Sequence, residues 1–127
     1  MREIKFRAWN EEDEVMIEWN SGFFYDTSEA TRWTGDFSAI EMPLMQYTGL
    51  KDKNGLEIYE NDILLCKDEL DGKTIRKGYV IFERASYWVD YEPCYLESND
   101  VLDEDIEYEV IGNIYENKDL INHPYVK

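Results

Sequence analysis

The densest set of groups that could do chemistry is a carboxylate run: Asp100, Asp103, Glu104, Asp105 and Glu107. A calcium loop sets alternating oxygen ligands around a central glycine and ends on a bidentate glutamate. This run has no such glycine, so weak divalent-cation binding is the most it supports. Glycosidase-type chemistry needs two carboxylates at a set separation across a cleft, and no spacing here marks such a pair. The one histidine, His123, stands beside Pro124 near the end of the chain. It cannot build a triad or a multi-histidine metal site by itself. Cys66 and Cys94 form neither a CxxC pair nor a zinc spacing. Cys66 lies in an apolar run and reads as a small core residue. No glycine-rich loop of the kind that cradles nucleotide phosphates is present. The expectation is therefore a protein with no catalytic residues, no metal and no cofactor.

Aromatic side chains are the better candidates for a site. Trp33, Tyr87, Trp88, Tyr91 and Tyr95 could form an exposed patch for a peptide or a partner protein. Trp88 falls on the opposite face from Tyr87, Val89 and Tyr91 if the segment is a strand, so one of the two faces looks outward or into an oligomer interface. A second class of partner is nucleic acid, through Arg2, Lys5 and Arg7 with Lys73, Arg76 and Lys77, helped by base stacking on aromatics. The net charge of −16 argues against it, because a phosphate backbone is held by clustered lysine and arginine. Such acidity keeps a protein soluble by self-repulsion. It would also suit a mimic of DNA charge that occupies a host DNA-binding protein.

The elements that must position these groups are strands. Glu3 to Trp9 alternates, with Ile4, Phe6 and Ala8 facing inward and Glu3, Lys5 and Arg7 outward. A polar turn at residues 10–13 leads to Val15, Ile17 and Trp19, which completes a hairpin. Phe23 to Tyr25 reads as a short strand, and residues 26–36 as a loop with a helical turn near Ser28 to Thr31. Around Asp52-Lys53-Asn54-Gly55 the pattern is a hairpin whose glycine takes a left-handed bulge position. Thr48 and Asp52 read as polar groups that fix this hairpin. Leu56 and Ile58 then alternate with Glu57 and Tyr59, and residues 60–62 break the chain again. Ile63 to Cys66 is a continuous apolar run, consistent with a strand buried on both faces.

Asp71-Gly72 is a second hairpin signal. Gly78 to Phe82 and Tyr87 to Tyr91 make a central hairpin, with Gly78 allowing a bend. Glu97 to Asp105 reads as an exposed acidic stretch. Ile106, Tyr108 and Val110 form a last strand with a bulge at Gly112, and Asn117 caps a final turn. So many short strands and tight reversals in 127 residues indicate one all-β or β-rich domain, 1–127, as a small barrel or sandwich. An aromatic content of 15% suits such a core. No signal peptide is visible, and no apolar run approaches the roughly 20 residues that span a bilayer. The expected setting is the cytoplasm.

Three blocks carry a resemblance to a known family. They are REIKFRAWN (Arg2 to Asn10), LMQYTGLKDKNGLEIYENDIL (Leu44 to Leu64) and EVIGNIYEN (Glu109 to Asn117). Together they span nearly the whole chain, which resembles the YopX family of phage and prophage proteins. Two positions depart from the family's pattern: Asn61 stands where glycine is common, and Lys118 where proline often follows. The resemblance implies a compact fold related to SH3-like barrels, here with an added amino-terminal hairpin, and an origin in a phage. It implies no activity and no catalytic residues. The expected role is protein–protein contact, with a host protein or with copies of itself.

Overall fold

The computed structural model describes residues 3–18, 42–67, 72–73, 75–92 and 99–121. The expected strand at Phe23 to Tyr25, the helical turn after it and Cys94 lie outside those residues. The described elements are all β apart from one 3₁₀ turn, Lys118–Leu120. In chain order the strands are β1 (Phe6–Asn10), β2 (Val15–Ile17), β3 (Leu44–Lys51), β4 (Glu57–Tyr59), β5 (Asp62–Lys67), β6 (Ile75–Glu83), β7 (Ser86–Tyr91), β8 (Asn99–Val101) and β9 (Tyr108–Asn113). Two sheets result, with orders β2-β1-β3-β4 and β8-β7-β6-β5-β9. The paired strands are antiparallel throughout.

The β3–β4 hairpin has the geometry that its sequence predicts. Gly55 takes φ +84°, and its N–H donates to the Asp52 carbonyl at 3.0 Å. The Asp52 carboxylate does more than fix the turn. It accepts N–H bonds from Asn54 and Leu56 within the turn and from Val110 on β9, each at 2.9 Å. Lys53 N–H also donates to the Tyr108 carbonyl. The tip of one sheet is thereby stitched to the outer edge of the other. Burial would raise the Asp52 carboxyl's pKa, but the three N–H bonds outweigh it and hold the group below its ordinary value. Thr48 hydrogen-bonds the Ile58 carbonyl at 2.7 Å across the irregular part of the β3–β4 pairing.

Strand β5 is the hub. Leu64 and Cys66 join Ile58, Val80, Tyr87, Val89, Tyr91 and Tyr108 in the larger core. Ile63 faces the other way and packs with Ile121, Tyr79 and Ile111 under the carboxy-terminal turn. The expectation of burial on both faces holds, with Ile63 and Leu64 both fully buried. The β9 bulge also sits where expected: Gly112 pairs with Ile63 but Val110 with Leu64, leaving Ile111 as the extra residue.

Several expectations need correction. Arg7 is buried and Ile4 is exposed, so β1 does not divide into an apolar inner face and a charged outer one. A buried carboxylate, described below, is what makes an inward arginine tolerable. Tyr59 is as buried as its neighbour Ile58, while Leu56 stays exposed. The acidic stretch is exposed as expected at Asp100, Val101 and residues 103–105, but it also contains a strand, β8 (Asn99–Val101), that its sequence does not announce. Its place comes from pairing with β7, Trp88 opposite Val101. Asn117 does not cap the last turn through its side chain. Its Oδ1 instead accepts the Asn113 N–H at 3.2 Å.

The β6–β7 turn carries strain. Arg84 and Ala85 have φ of +50° and +62°, the paired left-handed conformation of a type I′ turn, which favours asparagine and glycine. Replacing Arg84-Ala85 by Asn-Gly is expected to stabilise the fold by about 1–2 kcal/mol, read as a higher urea midpoint at unchanged m-value.

Burial also raises the tyrosine pKa values. Burial, aided by the charge of Glu57, pushes Tyr59 up to about 12. Burial pushes Tyr108 to about 12 and Tyr91 higher still. In the unfolded chain these phenols ionise near the ordinary tyrosine value of about 10. Above that pH the unfolded state has lost protons that the folded state keeps, so stability falls as pH rises. The denaturant midpoint should therefore decline steeply between pH 10 and 12, with tyrosinate absorbance appearing together with unfolding. Absorbance that rises smoothly with the fold intact would contradict this.

Candidate functional site

Two places concentrate side chains that could carry function. The first lies where the two sheets meet. Arg7 on β1 reaches the β4–β5 turn, and its Nη2 donates to Asp62 Oδ1 at 2.7 Å and to the Glu60 carbonyl at 3.2 Å. Its guanidinium lies 4.7 Å from the centre of the Tyr59 ring. Asp62 Oδ2 accepts the Tyr59 N–H at 2.8 Å, and the Glu60 carboxylate accepts the Gln46 N–H at 2.7 Å. Burial raises both acids, against the pull of Arg7 and of those N–H bonds. Arg7 Nε is buried with no acceptor among the described residues. On either side, Trp9 stacks on Tyr115 with ring centres 5.7 Å apart, and Lys5 pairs with Glu57 and Glu3. Each acid and base in this cluster is thus engaged with the backbone or with an opposite charge. The arrangement locks a junction, and Asn61, at φ +69°, closes the turn beneath it.

The second place is an open cleft of about 240 Å³ between the β3 segment at Thr48 and Leu50, the β6–β7 hairpin, and Val101 and Leu102. Val80 and Phe82 share the inner face of β6. Val80 is fully buried, but Phe82 lies near the end of the strand and is 52% exposed. It contacts Tyr87, ring centres 5.0 Å apart. Val101 on β8 is 49% exposed. Val101 stands opposite Trp88, so its side chain shares the Trp88 face, and Phe82 is the exposed apolar side chain that borders this groove.

The candidate aromatic residues separate. Tyr87 and Tyr91 are buried in the larger core, so they do not offer an exposed patch. Tyr87 reaches the surface only as part of the cleft wall. Trp88 does lie on the opposite face, half-buried, and its Nε1–H donates to the Glu83 carbonyl at 2.9 Å. Trp88 thus braces the strained turn, with the Arg84 guanidinium 5.9 Å from its ring centre. Trp33 and Tyr95 lie outside the described residues. Phe82 and Val101 escape sequence reasoning. Phe82 belongs to an unbroken apolar run, Tyr79 to Phe82, whose alternation gives its face but not how far the covering sheet extends. Val101 sits in the acidic stretch.

Four of the basic residues considered for nucleic acid meet carboxylates instead, while Arg2 lies outside the described residues. Besides Lys5 and Arg7, Arg76 lies 3.8 Å from Asp100 and over the Tyr91 ring, and Lys77 lies 3.6 Å from Glu92. Among the described residues no group of three or more His, Cys, Asp or Glu side chains could hold a metal ion. Cys66 is a free, buried thiol, raised by burial above its ordinary pKa. No described helix is long and apolar enough to cross a membrane.

No curated protein matches the chain. Among solved structures, that of protein EF1440 from Enterococcus faecalis is similar, with a TM-score of 0.56 at 24% identity, over 94% of this chain and 99% of that one. This likeness speaks to the fold. The family model described as "YopX protein" matches residues 5–122, nearly the whole length. The barrel-like core, the amino-terminal hairpin and that match agree: the chain belongs to the YopX family.

Proposed function

We propose that this protein is a phage- or prophage-encoded module that works in the bacterial cytoplasm without catalysis, by contact with other proteins. The observation that carries this reading is how its side chains are used. The polar groups at the sheet junction hold backbone and counter-charge, whereas Phe82 remains about half exposed at a cleft that Leu50, Tyr87 and Leu102 also line. An exposed aromatic ring beside an apolar groove suits a binding surface better than one standing alone on a flat face. Lys5, Arg7, Arg76 and Lys77 each lie against a carboxylate, which supports a protein partner over a phosphate backbone. A host protein and a second copy of this chain are the two classes of partner.

The test is a pull-down of tagged protein from bacterial lysate, with and without nuclease, read beside the native mass. A protein retained after nuclease, or a native mass above one chain, supports the reading. A native monomer whose only retained material disappears on nuclease treatment overturns it in favour of nucleic acid.

A further inference from the structure

Asn54 is followed by Gly55, and no other asparagine in the chain precedes a glycine. We infer that Asn54 is a site of covalent modification: it converts to aspartate and isoaspartate, at a rate gated by the hold of Asp52 on the hairpin tip. This chemistry is independent of any partner.

The reaction needs only water. The Gly55 backbone nitrogen gives up its proton to solvent and attacks Asn54 Cγ. The Cγ–Nδ2 bond breaks, and ammonia leaves with a proton taken from water. The five-membered imide then takes up one water. Opening at Cγ gives aspartate. Opening at the backbone carbonyl carbon gives isoaspartate, with the chain running through Cγ. One water is consumed and one ammonia released, with no change of oxidation state.

The tip permits this chemistry. Lys53, Asn54, Gly55 and Leu56 are all exposed, and the Asn54 side-chain amide has no hydrogen bond among the described residues. Gly55 has no side chain to hinder its nitrogen, and a Cβ there would meet nothing within 4 Å.

The fold opposes the reaction through one residue. Asn54, Gly55 and Leu56 all donate their N–H to Asp52. Asn54 and Leu56 reach carboxylate Oδ1, each at 2.9 Å, and Gly55 reaches the carbonyl at 3.0 Å. The attacking nitrogen thus keeps its proton in a hydrogen bond. Removing that proton would leave negative charge beside a carboxylate. Asp52 is itself anchored, since its Oδ2 accepts the Val110 N–H on β9 at 2.9 Å. Reaction therefore waits for the tip to leave β9. Little apolar burial holds the tip: Leu56 is its apolar residue and is 54% exposed. Opening is accordingly local and costs less than global unfolding. Isoaspartate would add a backbone atom before Gly55 and displace the Gly55 and Leu56 N–H groups from Asp52, so the product loses part of the stitch to β9.

The experiment incubates the full chain at mildly alkaline pH across a urea series. Fragment-ion mass spectrometry locates the conversion at Asn54, chromatography separates aspartate from isoaspartate, and circular dichroism gives the fraction unfolded. Without urea, conversion should be about tenfold or more slower than in the unfolded chain, and it should rise at urea concentrations below the unfolding midpoint. Asp52→Asn puts a donor in place of Oδ2, facing the Val110 N–H. It should speed conversion at Asn54 by about tenfold without urea. Asn61 and Asn113, whose side chains are hydrogen-bonded, should be unaffected.

Equal rates in folded and unfolded wild type overturn the proposal, because nothing then gates the site. Conversion that follows only the globally unfolded fraction also overturns it, as does an unfolded chain that does not convert. A folded Asp52→Asn variant that converts at the wild-type rate removes Asp52 as the gate and overturns it too. If that variant fails to fold, the urea series on wild type decides.

Discussion

Asp62→Ala should cost about 3–5 kcal/mol of folding stability. Asp62 is 2% exposed and Arg7 beside it 8%. Removing the acid leaves a guanidinium inside the protein with no counter-charge, at a place that already holds a buried Nε without an acceptor. It also orphans the Tyr59 N–H, which Asp62 Oδ2 accepts at 2.8 Å, and a buried donor left unsatisfied costs about 1–3 kcal/mol. Against a total of about 5–15 kcal/mol for a domain, this is a large fraction. Urea unfolding at neutral pH reads it directly. Asp62→Asn keeps an acceptor for Tyr59 but not the charge, so it separates the two contributions. Adding Arg7→Met to Asp62→Ala should recover part of the loss, since removing both charges is cheaper than stranding one. A loss below about 1 kcal/mol for Asp62→Ala would match a solvent-screened pair and contradict the buried geometry.

The second large effect is at Gly78. A Cβ there would stand 2.5 Å from the Asp90 carbonyl oxygen and 2.9 Å from Tyr91 Cα. Both are backbone atoms of β7, so no side chain can swing aside, and the pairing of Gly78 with Tyr91 must open. Gly78→Ala should cost about 3 kcal/mol, the upper end for overpacking. Gly55→Ala is the informative comparison. Its Cβ would meet nothing within 4 Å, but its φ of +84° strains any side chain, at about 1 kcal/mol. Equal midpoints for the two variants would mean that β7 yields to Gly78→Ala without loss of pairing.

What was legible in the sequence follows from which forces are local. The Asn54-Gly55 turn, the run Ile63 to Cys66 and the bulge at Gly112 announce themselves because backbone conformation and continuous burial leave marks on neighbouring residues. The inward orientation of Arg7 leaves none. It depends on a carboxylate 55 residues away, and without that partner an arginine in an alternating strand belongs outside. Strand β8 is similar, since its pairing is supplied by β7 and its own composition is acidic. The cleft was hidden for another reason. Alternation shows that Phe82 shares a face with Val80, but whether that face is covered depends on how far the other sheet reaches. The aromatic candidates illustrate the same limit: Tyr87 and Tyr91 differ from Trp88 in parity, and parity alone does not say which face is the core.

The stitching of the β3–β4 hairpin to β9 bears on synthesis. The Asp52 carboxylate awaits the N–H of Val110, and Lys53 N–H awaits the carbonyl of Tyr108. β5 likewise gains its second neighbour only when β9 exists. On the ribosome, the hairpin is made when less than half of the chain has appeared, yet its docking partner comes near the end. The nascent protein therefore carries an unclosed sheet edge for much of its translation, and closure of the barrel is a late event set by chain order rather than by the intrinsic speed of the hairpin.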